Sequence, residues 1–114
     1  MIIKKFKKNS NVILFIPTYN EKENIENLIR EIFSLYDNFD ILVLDDNSPD
    51  GTKDVVKKLI KTFKNLNLIV RDNKLGIGSA HKQGLVFAKK QQYKLLITMD
   101  ADYTHQPLEI KLLI

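Results

Sequence analysis

The sequence predicts an α/β domain, a mostly parallel sheet flanked by helices. Three observations carry this reading. Four short apolar runs, VILFI at Val12 to Ile16, ILVL at Ile41 to Leu44, LNLIV at Leu66 to Val70 and LLITM at Leu95 to Met99, have the continuous hydrophobic character of strands covered on both faces. Amphipathic helical patterns fill the intervals between them. Polar, acidic and turn-forming residues gather directly behind each apolar run, which in a parallel sheet places them along one edge.

Between the first two runs, Ile25, Leu28, Ile29, Ile32, Phe33 and Tyr36 recur at the spacing of one helix face. Val55, Val56, Leu59, Ile60 and Phe63 repeat that pattern in the second interval. A weaker third helix is expected from about Gly78 to Lys90, with Ala80, Leu85 and Ala88 on its apolar side. The final stretch PLEIKLLI reads as the start of another helix, with Pro107 at its first position and Thr104 to Gln106 as its lead-in. No internal repeat, low-complexity tract or interdomain linker interrupts the order. Two regions are expected: a basic N-terminal segment, residues 1–10, and one domain over residues 11–114.

A chain of 114 residues with 44% hydrophobic residues can bury roughly 65% of its unfolded surface, enough for a single core. Its 18 Lys and Arg against 14 Asp and Glu give a net charge of +4, and the lysines of KKFKK at Lys4 to Lys8 supply much of the excess. Such a tail can meet an anionic membrane surface or nucleic acid; a solvated terminus is the simpler reading, and no nucleic-acid partner is expected. The absence of cysteine excludes disulfides, thiolate metal sites and cysteine nucleophiles. No apolar run reaches the ~18 residues of a membrane span, and Pro17 to Asn20 cut off the first run too early for a secretory signal. The expected location is cytoplasmic, with peripheral contact at the cytoplasmic face of a membrane allowed.

Four segments follow the four strands: PTYNE (Pro17 to Glu21), DDNSPDGT (Asp45 to Thr52), RDNKLGIGSA (Arg71 to Ala80) and DADYTHQP (Asp100 to Pro107). The expectation is that Asp45, Asp46, Asp100 and Asp102 meet. Carboxylates ~4 Å apart repel by about 4 kcal/mol at an effective dielectric near 20, and a divalent cation removes that conflict. Mg²⁺ or Mn²⁺ held by one or two carboxylates, with substrate phosphates completing its shell, suits Asp-x-Asp behind a strand. Asp pairs also serve turns and helix caps. Ser48 or Asp50 reads as the N-cap of the second helix, whereas Asp46 is placed to accept the N–H of a nucleotide base. Tyr19 can fill a groove or stack on a base, and Glu21 can belong to a first helical turn or touch a ligand. Gly76 and Gly78 fit neither dinucleotide nor Walker spacing, but they permit close backbone approach to a phosphate that Lys74 or Lys82 could face. His105 could complete a metal site or serve as a hydrogen-bonded loop histidine.

Taken together, PTYNEKENI, DDNSPDGT, KLGIGSAHKQG and DADYTHQP closely resemble the nucleotide-sugar half of family 2 glycosyltransferases, nearest to the dolichyl- or polyprenyl-phosphate mannosyltransferase branch. The resemblance runs from about Val12 to the C-terminus. It implies a Rossmann-like GT-A fold and metal-assisted, inverting transfer of a hexose, with GDP-mannose the favoured donor, to a polyprenyl or dolichyl phosphate. It implies Pro17, Tyr19, Glu21, Leu44 and Asp46 around base and ribose. Asp100, Ala101 and Asp102 fall at the diphosphate and metal, Asp102 as a direct ligand supported by Asp100. Some relatives carry Gln as a further ligand where this chain has Thr104.

The family's catalytic region is longer than this chain. The acceptor half, with its phosphate-binding arginines and any membrane anchor, is therefore expected to be missing, leaving a truncated, donor-binding part with an open sheet edge and helix face. The alternative from another class is a noncatalytic α/β module or remnant that binds a nucleotide or nothing. A phospho-acceptor domain built on Asp45 and Asp46 leaves the later Asp-x-Asp unexplained.

Overall fold

The computed structural model describes Phe6, residues 8–73 and 76–99, and Ala101, with Ile77 and residues 109–112 described by their backbone alone. The elements run β1 (Val12–Thr18), α1 (Lys22–Leu35), β2 (Asp40–Asp45), α2 (Thr52–Ile60), β3 (Leu66–Val70), α3 (Ile77–Lys90), β4 (Leu95–Thr98) and β5 (Glu109–Leu112). They form one sheet of order β3-β2-β1-β4-β5. The first four strands pair in parallel, and β5 lies antiparallel to β4.

Where the sequence reading placed a final helix on PLEIKLLI, residues 109–112 form β5 instead. The pattern Glu-Ile-Lys-Leu alternates polar and apolar, the period of a strand covered on one face, and the outer edge of β4 offers unpaired backbone groups to satisfy. Pro107 and Thr104 to Gln106 lie outside the described residues.

The chain direction determines which helix covers which face. From β1 through β2 to β3 the strands step one way, and from β3 to β4 the chain steps back past β1. Right-handed crossovers therefore put α1 and α2 on one face and α3 on the other. The strands serve both faces by alternation. Leu14, Ile16, Ile41, Val43, Leu66, Leu68 and Val70 pack with Ile25, Ile29 and Val56, whereas Ile13, Phe15, Leu42, Leu44 and Ile69 pack with Ala80 and Ala88. Each large aliphatic side chain so buried contributes about 1.5–3 kcal/mol. Tyr36, expected on the apolar face of the first helix, is the residue after α1; it is exposed and stacks on Phe39 with ring centroids 4.8 Å apart.

Helix α3 sits close to the sheet because Gly84 faces Phe15. A Cβ at Gly84 would lie 2.8 Å from the Phe15 ring. At the amino-terminal edge of the strands, the buried Asp40 carboxylate accepts the Tyr93 hydroxyl at 2.6 Å and the backbone N–H groups of Asn9 and Ser10. Lys8 donates to the carbonyl of Gln92, and the Phe6 ring meets Phe87 edge-on. The described part of the basic N-terminal segment is thus docked on the domain.

Candidate functional site

The carboxyl ends of β1, β2, β3 and β4 lie along one edge, and the strand order reverses between β1 and β4. In open α/β sheets the crevice at that reversal is where ligands bind. Here a proline helps to open it. Met99 donates its N–H to the carbonyl of Phe15 at 3.1 Å, so Phe15 faces β4 along the ladder. Two residues on, Pro17 would face the same way but has no N–H to offer, while Thr18 continues to pair with β2. The ladder to β4 therefore ends before β1 does.

The two adjacent acids at the end of β2, Asp45 its last residue and Asp46 the next, part company by the same alternation that sorts the core. Asp45 follows Ile41 and Val43 towards the α1–α2 face; Asp46 follows Leu42 and Leu44 towards α3. Asp45 is 0% exposed. Its carboxylate accepts the Thr18 hydroxyl at 2.7 Å, the Ser48 hydroxyl at 2.6 Å and the Ser48 N–H at 2.9 Å. Asp46 is 7% exposed and receives the guanidinium of Arg71 side-on, Nε to Oδ1 at 2.6 Å and a terminal nitrogen to Oδ2 at 2.9 Å. The expected four-carboxylate cluster is therefore corrected on its described half: Asp45 and Asp46 point to opposite faces, Asp45 holding three donors and Asp46 paired with Arg71. Among the described residues no group of three or more His, Cys, Asp or Glu could hold a metal ion.

The loop after β2 does something the sequence did not announce. Neither Ser48 nor Asp50 is the N-cap of α2; Gly51 takes that position in the left-handed region at φ 91°. Ser48 Oγ instead accepts the N–H of Asn20, Thr52 Oγ1 that of Glu21, and Asp50 Oδ2 that of Lys22. Three successive donors at the entrance to α1 are thus held by side chains of the neighbouring loop. Burial pushes the Asp50 carboxyl up, but hydrogen bonds from Thr52 and Lys22 and the Lys22 charge outweigh it and hold it below the usual carboxylate range. These bonds fix the turn that carries Tyr19, whose side chain is 37% exposed at the crevice edge.

The remaining expected residues fall as follows. Pro17 and Leu44 are register partners across β1 and β2 and both are buried beneath the crevice. Glu21 is the residue before α1; its carbonyl accepts the N–H groups of Asn24 and Ile25, and its carboxylate accepts the Asn24 side-chain amide. Ala101 is buried against the α1–α2 core. Asp100, Asp102, Lys74, Thr104 and His105 lie outside the described residues. Arg71 is the residue that reading the sequence passed over, although an arginine closing a buried strand demands an acidic partner.

A doubly wound α/β sheet with acids and an aromatic residue at its carboxyl edge defines the class of α/β domains that bind ligands at a strand-order reversal. The family described as glycosyl transferase family 2 matches residues 13–114, and the chain belongs to it. It is 34% identical over 103 residues to the polyprenol monophosphomannose synthase of Mycolicibacterium smegmatis, covering 90% of this chain and 39% of that protein. It is 34% identical over 99 residues to the undecaprenyl-phosphate mannosyltransferase of Micrococcus luteus, covering 87% of this chain and 41% of the relative. Among solved structures, the mannosyltransferase of Pyrobaculum calidifontis in complex with GDP-Man and Mn²⁺ superposes with a TM-score of 0.67 at 27% identity, over 83% of this chain and 28% of that one. Glucosyl-3-phosphoglycerate synthase of Mycobacterium tuberculosis, in complex with Mn²⁺, UDP and its product, gives 0.59 at 25% identity, over 80% and 33%. The chain thus spans about two fifths of the length of these curated relatives.

Proposed function

We propose that the carboxyl edge of the sheet binds a sugar nucleotide, GDP-mannose in preference, as the donor half of a polyprenyl- or dolichyl-phosphate mannosyltransferase. The observation that carries this reading is Asp46, a carboxylate acceptor pinned by Arg71 just past the end of β2, beside Tyr19 on a braced turn and near the register pair Pro17 and Leu44. A base held there would stack on the Tyr19 ring and donate its N–H to the fixed Asp46 carboxylate. Glu21 completes the ribose side. The names of the relatives support mannosyl transfer to a polyprenyl phosphate, and the GDP-Man and Mn²⁺ of the Pyrobaculum neighbour support this donor.

Asp45 and Asp46 do not fit a metal, being engaged by Ser48, Thr18 and Arg71. Asp102 with Asp100 offers the hard oxygen donors that Mg²⁺ or Mn²⁺ takes, and these two residues, flanking Ala101 in sequence, would hold the ion at the diphosphate. When bound, the ion would offset the charge that grows on the departing diphosphate. The attacking group is an acceptor phosphate, already anionic at neutral pH, so inversion at the sugar carbon needs no strong base among the strand-end residues. The acceptor lipid would bring the reaction to the cytoplasmic face of a membrane, the chain acting peripherally; among the described residues no helix is long and apolar enough to cross one.

A thermal-shift series with GDP-mannose, UDP-glucose and Mn²⁺ tests the reading. A ligand at 100 times its dissociation constant adds about 2.7 kcal/mol. Stabilisation should require nucleotide and metal together, favour GDP-mannose, and vanish in Asp102→Ala. Equal melting in all conditions would refute it.

A further inference from the structure

We propose that Arg71 is a positioning residue of the donor site: it fixes the Asp46 carboxylate as the acceptor for the base and ties that acceptor to the start of α3. This rests on the reading that the crevice takes a nucleoside diphosphate.

A guanidinium carries five N–H groups. Arg71 Nε donates to Asp46 Oδ1 at 2.6 Å; one terminal nitrogen donates to Asp46 Oδ2 at 2.9 Å and to the Gly76 carbonyl at 3.4 Å; the other donates to Ser79 Oγ at 2.8 Å and Gln83 Oε1 at 3.5 Å. Five donors meet five acceptors, so Arg71, 8% exposed, has no N–H left for a ligand. Asp46 differs. A carboxylate offers about four lone-pair sites, and the arginine fork takes two, leaving each oxygen able to accept from a base.

Two consequences follow from the charges. A fixed cation against Asp46 repels a divalent ion, which separates the base-reading acid from the acids proposed to hold metal. The same cation bridges three elements: the end of β2 through Asp46, the end of β3 through its own backbone N–H on the Asp45 carbonyl, and the first turns of α3 through Gly76, Ser79 and Gln83. Gly76 sits at φ 93° and its carbonyl also starts α3 by accepting the N–H of Ala80. Base binding at Asp46 is thereby coupled to the first turns of α3.

The test is calorimetric titration of the full chain and its Arg71→Met, Arg71→Lys and Asp46→Asn variants with GDP plus Mn²⁺, and separately with pyrophosphate plus Mn²⁺, which has no base. Arg71→Met should weaken GDP by about 10- to 100-fold, the size of loss seen when the outer partner that orients a metal ligand is removed, and leave pyrophosphate affinity unchanged. Arg71→Lys keeps the charge without the fork and should fall between. Asp46→Asn should match Arg71→Met, and the double variant should add little. Wild-type GDP affinity in Arg71→Met, or a parallel loss of GDP and pyrophosphate, would overturn the inference; if Arg71→Met does not fold, wild-type GDP affinity in Arg71→Lys does so alone. A wild-type chain that binds neither probe would overturn the proposed function, and this inference with it.

Discussion

Asp45 is the sharpest place to separate structure from chemistry, because it stands beside Asp46, the acid proposed to read the base, yet serves the fold. Replacing it by alanine removes one buried carboxylate that holds three donors: the Thr18 hydroxyl and both the N–H and hydroxyl of Ser48. A hydrogen bond to a charged group contributes about 1.5–3 kcal/mol, and a buried donor left without an acceptor costs about 1–3 kcal/mol. The Thr18 hydroxyl retains a weaker contact with the Leu44 carbonyl at 3.4 Å, which offsets part of its share. Relief from burying a full charge offsets more. Asp45→Ala should therefore cost about 3–5 kcal/mol, a large part of the 5–15 kcal/mol typical of a domain. Asp45→Asn keeps one acceptor oxygen but turns an amide N–H towards a Ser48 donor, and should cost about half as much. Ser48 in turn holds the N–H of Asn20, so the loss reaches the Tyr19 turn. Urea unfolding followed by circular dichroism reads the difference as a shift in midpoint at constant slope. If Asp45→Ala unfolds with the wild-type midpoint but loses metal-dependent nucleotide binding, Asp45 is a ligand and the parity argument fails.

Gly84→Ala gains about 1 kcal/mol of helix propensity but drives a methyl into the Phe15 ring, where overpacking costs about 1–3 kcal/mol. A net loss of stability is expected, with Phe15→Leu less damaging in the Gly84→Ala background than in the wild type; additive costs would contradict the contact. Tyr93 is held neutral, its pKa raised far above the ordinary 10.0 by burial and then by its bond to Asp40. Because the folded value lies above the unfolded one, its stabilisation is complete below pH 10 and declines as the pH rises past it. The stability gap between wild type and Tyr93→Phe should shrink above pH 10, and a gap that stays constant in alkaline urea titrations would refute the coupling.

The four parallel strands and three helices were legible because buried strands are continuous apolar runs and helices repeat every three or four residues. Even the opposite facing of Asp45 and Asp46 was open to reading, since Ile41 and Val43 alternate with Leu42 and Leu44. What hid was contact between loops. Nothing local in SPDGT says that Ser48, Asp50 and Thr52 serve the backbone of Asn20, Glu21 and Lys22, because the bonds depend on β1 and β2 being neighbours. Arg71 hid for the same reason: in RDNKL it looks like the start of a polar turn until β3 is placed beside β2. β5 was missed because Leu108, Leu112 and Leu113 fit a helical face as readily as EIKL fits a strand.

The central claim is spatial: donor and metal meet at one end of the strands. Paramagnetic broadening of amide signals by Mn²⁺ tests it directly, because the seven residues of β1 separate the two edges by about 23 Å. With GDP present, Tyr19, Asp46 and Ala101 should broaden while Ser10, Phe39 and Tyr93 at the other edge stay sharp, and omitting GDP should abolish most of the effect. Broadening centred on the amino-terminal edge, or indifferent to nucleotide, would contradict the account.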